Sequence, residues 1–168
     1  MDDVAFFLAH AVTLEDEAAD RYDELADALE VHNNPEVVAL FRKMAHFSRL
    51  HRAEATERAD QEGGLPRLKP WEYQWPDAES PESGAIEDSH YLMTPTHALR
   101  LAYQAEIGAH RFYAACARDT ANPELRALAE EFAAEEAEHA AELEQWIARY
   151  PEPEAGWDDD LDPPVSVD

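Results

Sequence analysis

Apolar residues recur every three to four positions along four long stretches of the chain, and prolines, glycines and capping residues punctuate their ends. The first stretch runs from about Asp3 to Glu30, with Phe7, Leu8, Ala11, Leu14, Glu15, Ala18, Tyr22, Leu25 and Leu29 along one helical face. The second opens at Asn34-Pro35-Glu36, which reads as an Asn cap, Pro at the first helical position and an acid in the first turn. It continues to about Glu62, where Gly63-Gly64 stop it. The third opens in the same way at Thr94-Pro95 and reaches about Thr120, and the fourth runs from Asn122-Pro123-Glu124 to just before Pro151. Ala, Leu, Glu and Arg dominate all four, and these are strong helix formers.

About 30 residues rich in Pro, Gly, Ser and Trp, roughly 63–94, separate the second stretch from the third. Short link, long link, short link is the spacing of an all-α four-helix bundle with one long crossover. Trp71, Tyr73, Trp75 and Tyr91 predict that the crossover packs along the bundle. The bundle is expected over 1–150, followed by an extended, acidic, Pro-rich tail over 151–168 that holds Asp158-Asp159-Asp160.

The two halves of this pattern repeat each other. Shifted by 91 positions, Leu8, Ala11, Glu15, Ala18, Tyr22 and Ala26 fall on Leu99, Ala102, Glu106, Ala109, Tyr113 and Ala117. Both helices therefore carry Glu-x-x-Ala-x-x-x-Tyr, with the three positions within about 60° of one another around the helix. A shift of 88 lays Asn34-Pro35-Glu36 on Asn122-Pro123-Glu124, and Ala45, His51 and Glu54 on Ala133, His139 and Glu142. One helical hairpin is used twice. Within it, Glu136-Ala137-Glu138-His139 is matched by Ser48-Arg49-Leu50-His51, so the histidine is kept and the glutamate is a serine.

A bundle that presents one Glu from each of two helices and Glu-x-x-His from the other two builds a carboxylate-bridged two-metal site. Residues i and i+3 are stacked one turn apart, so a carboxylate and an imidazole reach the same ion. Carboxylate oxygen and imidazole nitrogen suit ferrous iron or manganese. The candidate ligands are Glu15, His51, Glu106, Glu136 and His139, with Ser48 at the sixth place. Singly, each glutamate reads best as one surface acid among many. All three, however, lie on the stripe that carries Leu, Ala, Phe and Tyr, where an unpaired carboxylate is costly. His110, four residues after Glu106, reads better as a histidine paired at the core edge than as a ligand. Glu130, Glu131, Glu135 and Glu138 read as a solvated face, His46 points away from Ser48, and Cys116 reads as a small core residue.

Through Glu15-x-x-Ala18-x-x-Arg21-Tyr22, Glu106-x-x-Ala109-x-x-Phe112-Tyr113 and Glu136-x-x-His139, residues 3–150 outside the crossover resemble the rubrerythrin branch of the ferritin-like superfamily. The resemblance implies a ferritin-like bundle that binds two irons through these glutamates and histidines, with manganese or zinc as alternative metals. It implies that Tyr22 and Tyr113 hydrogen-bond to the metal-binding carboxylates and poise them for catalysis. It also implies a homodimer that reduces peroxide, with electrons from a Cys-rich rubredoxin module. This chain carries a single cysteine, Cys116, so the electron donor is expected to be a separate protein.

In the family the residue matching Ser48 is a glutamate that bridges both metals. Without it, two divalent ions against three buried carboxylates leave one uncompensated positive charge. The metal position leaning on Ser48 is therefore expected to be the weaker one. Three functions follow, in order: an oxidoreductase reacting reduced metal with peroxide or oxygen, a protein that sequesters iron without turnover, and a degenerate bundle with a structural role.

Composition narrows the field further. With 13 basic and 38 acidic side chains the formal net charge is −25, which repels phosphate backbones and anionic headgroups and draws in cations. Nucleic-acid and membrane partners are excluded on that ground. The single cysteine rules out a disulfide framework or a Cys-based cluster. The apolar run Val4 to Leu8 is too short to span a bilayer and is preceded by acids, so a cytoplasmic protein is expected.

Overall fold

Each helix starts where the sequence supplies a cap. In the computed structural model, which describes residues 1–31, 34–77, 79–82 and 93–150, α1 spans Val4–Glu30 and the Asp3 carboxylate accepts the Phe6 amide at 2.7 Å. Helix α2 spans Pro35–Gln61, and α3 spans Pro95–Asp119, with the Thr94 hydroxyl accepting the His97 amide at 3.1 Å. Helix α4 spans Pro123–Ile147, and the Asn122 side chain accepts the amides of Glu124 and Leu125. At the end of α2, Gly63 and Gly64 take φ of 97° and 101°, and the Gly64 amide folds back onto the Ala59 carbonyl at 2.8 Å. That left-handed closure favours residues without a Cβ.

The helices pair as two hairpins, α1 with α2 and α3 with α4, and α1 also meets α3 and α4. This is the all-α, ferritin-like arrangement that the duplicated pattern predicts. No helix among the described residues is long and apolar enough to cross a membrane. The apolar interior falls into two clusters. One, around Leu25, Leu29, Phe41, Met44, Leu99 and Leu143, joins the end of α1 to the start of α2 and α3. The other, around Phe7, Leu8, Leu14, Phe112, Leu125 and Ala129, fills the opposite end. The polar positions singled out by the repeat lie between them.

The crossover follows the bundle over part of its length. A short 3-10 turn, Pro70–Glu72, leads into Tyr73, whose hydroxyl lies 2.9 Å from the Thr13 hydroxyl. His10, fully buried, is held between the Phe6 carbonyl on Nδ1 at 2.8 Å and the Gln74 amide, which donates to Nε2 at 2.9 Å. The rings of Tyr73, Trp75 and Phe112 surround it. Farther on, the crossover passes close over α3: a Cβ at Gly108 would lie 3.2 Å from the Pro81 side chain. Tyr73 and Trp75 thus carry the expected packing along the bundle, and Trp71 does not share it. Trp71 is 76 % exposed, with the Lys69 ammonium over its ring. Tyr91 and the tail 151–168 lie outside the described residues.

Candidate metal centre

Four buried or half-buried layers of side chains meet between the two apolar clusters. Glu15 comes from α1, Ser48 and His51 from α2, Glu106 from α3, and Glu136 and His139 from α4. The three glutamates are 7 %, 2 % and 5 % exposed respectively, so they are interior groups and not part of the solvated acidic face. The amphipathic stripe put them there: Glu15 and Glu106 share a face with core Ala, Leu and Tyr residues of α1 and α3, and Glu136 with core Ala and Leu residues of α4.

The second hairpin assembles a tight group. Ligand atoms of Glu106, Glu136 and His139 all lie within 4.8 Å of one another. His139 Nδ1 is 3.6 Å from Glu106 Oε2 and 3.5 Å from Glu136 Oε2, the latter one turn earlier on the same helix. From the other hairpin, the Tyr22 hydroxyl donates to Glu106 Oε1. The Arg21 guanidinium lies over the Tyr22 ring and brings Nη2 to 3.8 Å from the same oxygen.

The first hairpin is looser. Glu15 Oε1 is 3.7 Å from His51 Nδ1. Ser48 is buried at the place equivalent to Glu136. Among the described residues, the buried Tyr113 hydroxyl and His51 Nδ1 have no hydrogen-bond partner. The two halves nevertheless touch, since the His51 and His139 rings stack with centroids 5.6 Å apart and planes 13° from parallel.

Protonation follows from burial and proximity. Burial pushes Glu136 well above the usual carboxylate range, and the charge of Glu106 beside it pushes it the same way. Burial alone would raise Glu106 too, but Glu136 as a hydrogen-bond donor, His139 and Arg21 outweigh it and hold Glu106 low. The two carboxyls are thus pushed in opposite directions, as two acids sharing one buried site must be. His139 is opposed by burial but raised by Glu106, while His51 is raised chiefly by Glu15. Carboxylate oxygens and imidazole nitrogens, several without protein partners, form a donor set that fits ferrous or manganous ions.

Sequence reasoning missed three contributors. Arg21, only 4 % exposed, pairs with Glu82 of the crossover, itself 3 % exposed, as well as facing Glu106. A basic residue beside Tyr22 on a buried stripe was the signal for Arg21, whereas no periodicity points to Glu82. Glu135, expected on a solvated face, is instead half-buried with Oε2 3.9 Å from His51 Nδ1. Glu130, Glu131 and Glu138 are exposed as expected, and so is His46. His110 places Nδ1 2.7 Å from the Ala133 carbonyl, the core-edge arrangement. Cys116 is half-buried and not fully packed, and burial pushes its thiol up to about 11.

A family model described as Rubrerythrin matches residues 7–93 and 97–159. Among solved structures, an uncharacterized conserved protein from Magnetospirillum magnetotacticum is 49 % identical, with a TM-score of 0.73, over 89 % of this chain and 96 % of that one. No curated protein matches.

Proposed function

The chain belongs to the rubrerythrin family, a ferritin-like di-iron family, and from that premise we propose that it is an iron-binding oxidoreductase acting on peroxide or oxygen. One observation carries the reading: the interior Glu106–Glu136–His139 group, braced by the Tyr22 hydroxyl. Glu106, Glu136 and His139 would hold the tighter ion, and Glu15 and His51 the weaker one. Iron in its ferrous state supplies the electrons that peroxide or oxygen takes up.

The protein's own groups do the rest. Tyr22 fixes one oxygen of Glu106 and leaves the other toward His139, whereas Tyr113, its repeat equivalent, makes no such bond among the described residues. Arg21, neutralised by Glu82, keeps Glu106 ionised without adding net charge. Glu136, which burial and the Glu106 charge push toward its protonated form, would give up that proton to hold an ion, so loading would strengthen with rising pH. The acidic surface raises the local cation concentration. A separate electron-donor protein, a homodimer and a cytoplasmic location complete the reading, on family resemblance and composition.

Buried Ser48, where the second hairpin has Glu136, favours a second reading: iron is sequestered without turnover. Anaerobic ferrous titration with metal analysis, followed by rapid mixing with peroxide or oxygen, tests both. Rapid oxidation of the loaded protein is expected. A loaded protein that stays ferrous overturns the oxidoreductase and leaves sequestration, and a protein that takes up no iron overturns both.

A further inference from the structure

One buried charge next to the centre comes from outside the four helices. We propose that Glu82 of the crossover is a positioning residue for the metal centre: it takes up the Arg21 guanidinium and so keeps Glu106 free for an ion. The inference rests on the reading that the bundle centre holds metal.

Burial makes the arrangement exacting. Arg21 and Glu82 are 4 % and 3 % exposed, and among the described residues Arg21 forms ion pairs with two carboxylates, Glu82 and Glu106. The two are not engaged alike. Nη1 closes on Glu82, whereas Nη2 stays 3.8 Å from Glu106 Oε1, too far for a hydrogen bond. That oxygen accepts the Tyr22 hydroxyl instead, and Glu106 Oε2 lies toward His139. Without Glu82, the guanidinium would be left with Glu106. It would close on that carboxylate, compete with an ion for its oxygens and add an uncompensated positive charge beside it.

The crossover is pinned where it can deliver this carboxylate. The Glu82 amide donates to Ser80 Oγ at 3.2 Å, and Ser80 is itself buried. Ser80 also hydrogen-bonds Glu17, one turn before Arg21 on α1. Between them, Pro81 packs against α3 at Gly108, where a Cβ would lie 3.2 Å from the proline side chain. Residues 80–82 are therefore fastened to both α1 and α3. The repeat shows why only one half needs this. At the place matching Arg21, α3 carries Phe112, so the buried cation and its counter-charge belong to the Glu106 side alone.

The test is calorimetric titration of the full chain with manganese(II) alone at fixed pH, with circular dichroism reporting the fold. Glu82→Gln should weaken the tighter ion by the ~10–100-fold that losing a side chain behind a ligand costs. Arg21→Gln/Glu82→Gln removes the stranded cation together with its partner, and should return affinity to within about threefold of wild type. A merely structural role for the pair predicts the reverse, with the double variant at least as weak as the single one. Arg21→Gln alone strands no cation and should bind no worse than about threefold below wild type. Wild-type affinity in Glu82→Gln, no recovery in the double variant, or a loss in Arg21→Gln as large as in Glu82→Gln overturns the positioning role and leaves the centre in place. No ion bound by wild type overturns the metal-centre reading instead.

Discussion

In the α3–α4 hairpin, Glu136 stands one turn before His139, and Glu106 receives the Tyr22 hydroxyl from across the bundle. In the α1–α2 hairpin the same places hold Ser48 before His51, and among the described residues no hydroxyl bonds to Glu15 and the buried Tyr113 hydroxyl has no partner. The template is shared, but only one copy is finished. Each half depends on the other for support, because the tyrosine that steadies Glu106 is carried by the opposite hairpin. Loss of one carboxylate therefore loosens a whole quadrant: the missing side chain, the histidine beside it and the hydroxyl facing it.

Glu136→Gln should produce the largest effect. Ferrous affinity at the tighter position should fall by more than ~100-fold, beyond the cost of losing a supporting hydrogen bond. Glu15→Gln should leave that position nearly intact and remove only the weaker one. Anaerobic titration of the two variants side by side measures both, and equal losses would break the distinction between the halves.

Ser48→Glu should sharpen it from the other direction. The second binding event should tighten about tenfold or more, while the metal-free protein becomes less stable, because a further carboxylate enters a buried acidic centre. Urea denaturation with and without metal reads the two opposed shifts.

The tyrosines should part company next. Tyr22→Phe should lower metal-free stability by about 1–2 kcal/mol, since it breaks a charge-assisted bond and leaves Glu106 less satisfied. Tyr113→Phe should raise stability by roughly 1 kcal/mol, because it deletes a buried hydroxyl that has no partner. Matching losses in the two denaturation curves would mean that Tyr113 is paired after all.

Much of this contrast is legible in the sequence. Helical periodicity, Pro-led helix starts and the repeat locate four helices to within a few residues, the stripes containing Tyr22 and Tyr113 place Glu15 and Glu106 inside, and the Ala and Leu stripe of α4 does the same for Glu136. Glu82 is not legible, because a crossover without periodicity gives no rule for which of its acids turns inward. Glu135 escapes for a different reason. It sits at the margin of the α4 stripe, and its burial depends on how closely α2 approaches, which no single-helix pattern encodes. Trp71 marks the limit of the aromatic signal: Tyr73 and Trp75 tie the crossover to the bundle, while an exposed neighbour in the same segment does not.

The smallest predicted effect concerns another place where the halves diverge. His10 clips the crossover to α1, and its repeat equivalent is Leu101. Burial pushes the His10 imidazole below its ordinary range of about 6.5, although the Phe6 carbonyl opposes the shift. The unfolded chain then binds a proton there before the folded one does. Its contribution to stability is present above pH ~6.5 and is lost as pH falls through that value toward the folded pKa. Thermal unfolding from pH 7 to 5 should show that decline in the metal-free protein, and His10→Asn should flatten it. An unchanged slope would mean that the crossover is held by its aromatic rings alone.

The two apolar clusters have a consequence for the life cycle of the protein. They bolt the bundle at both ends and leave the polar layer as a waist whose side chains need not hold the helices together. Such a scaffold can stay folded while its cargo is absent, so loading and unloading need not pass through the unfolded chain. For the proposed metal centre, newly made protein would be able to wait, assembled, for its ion, and to be reloaded without resynthesis.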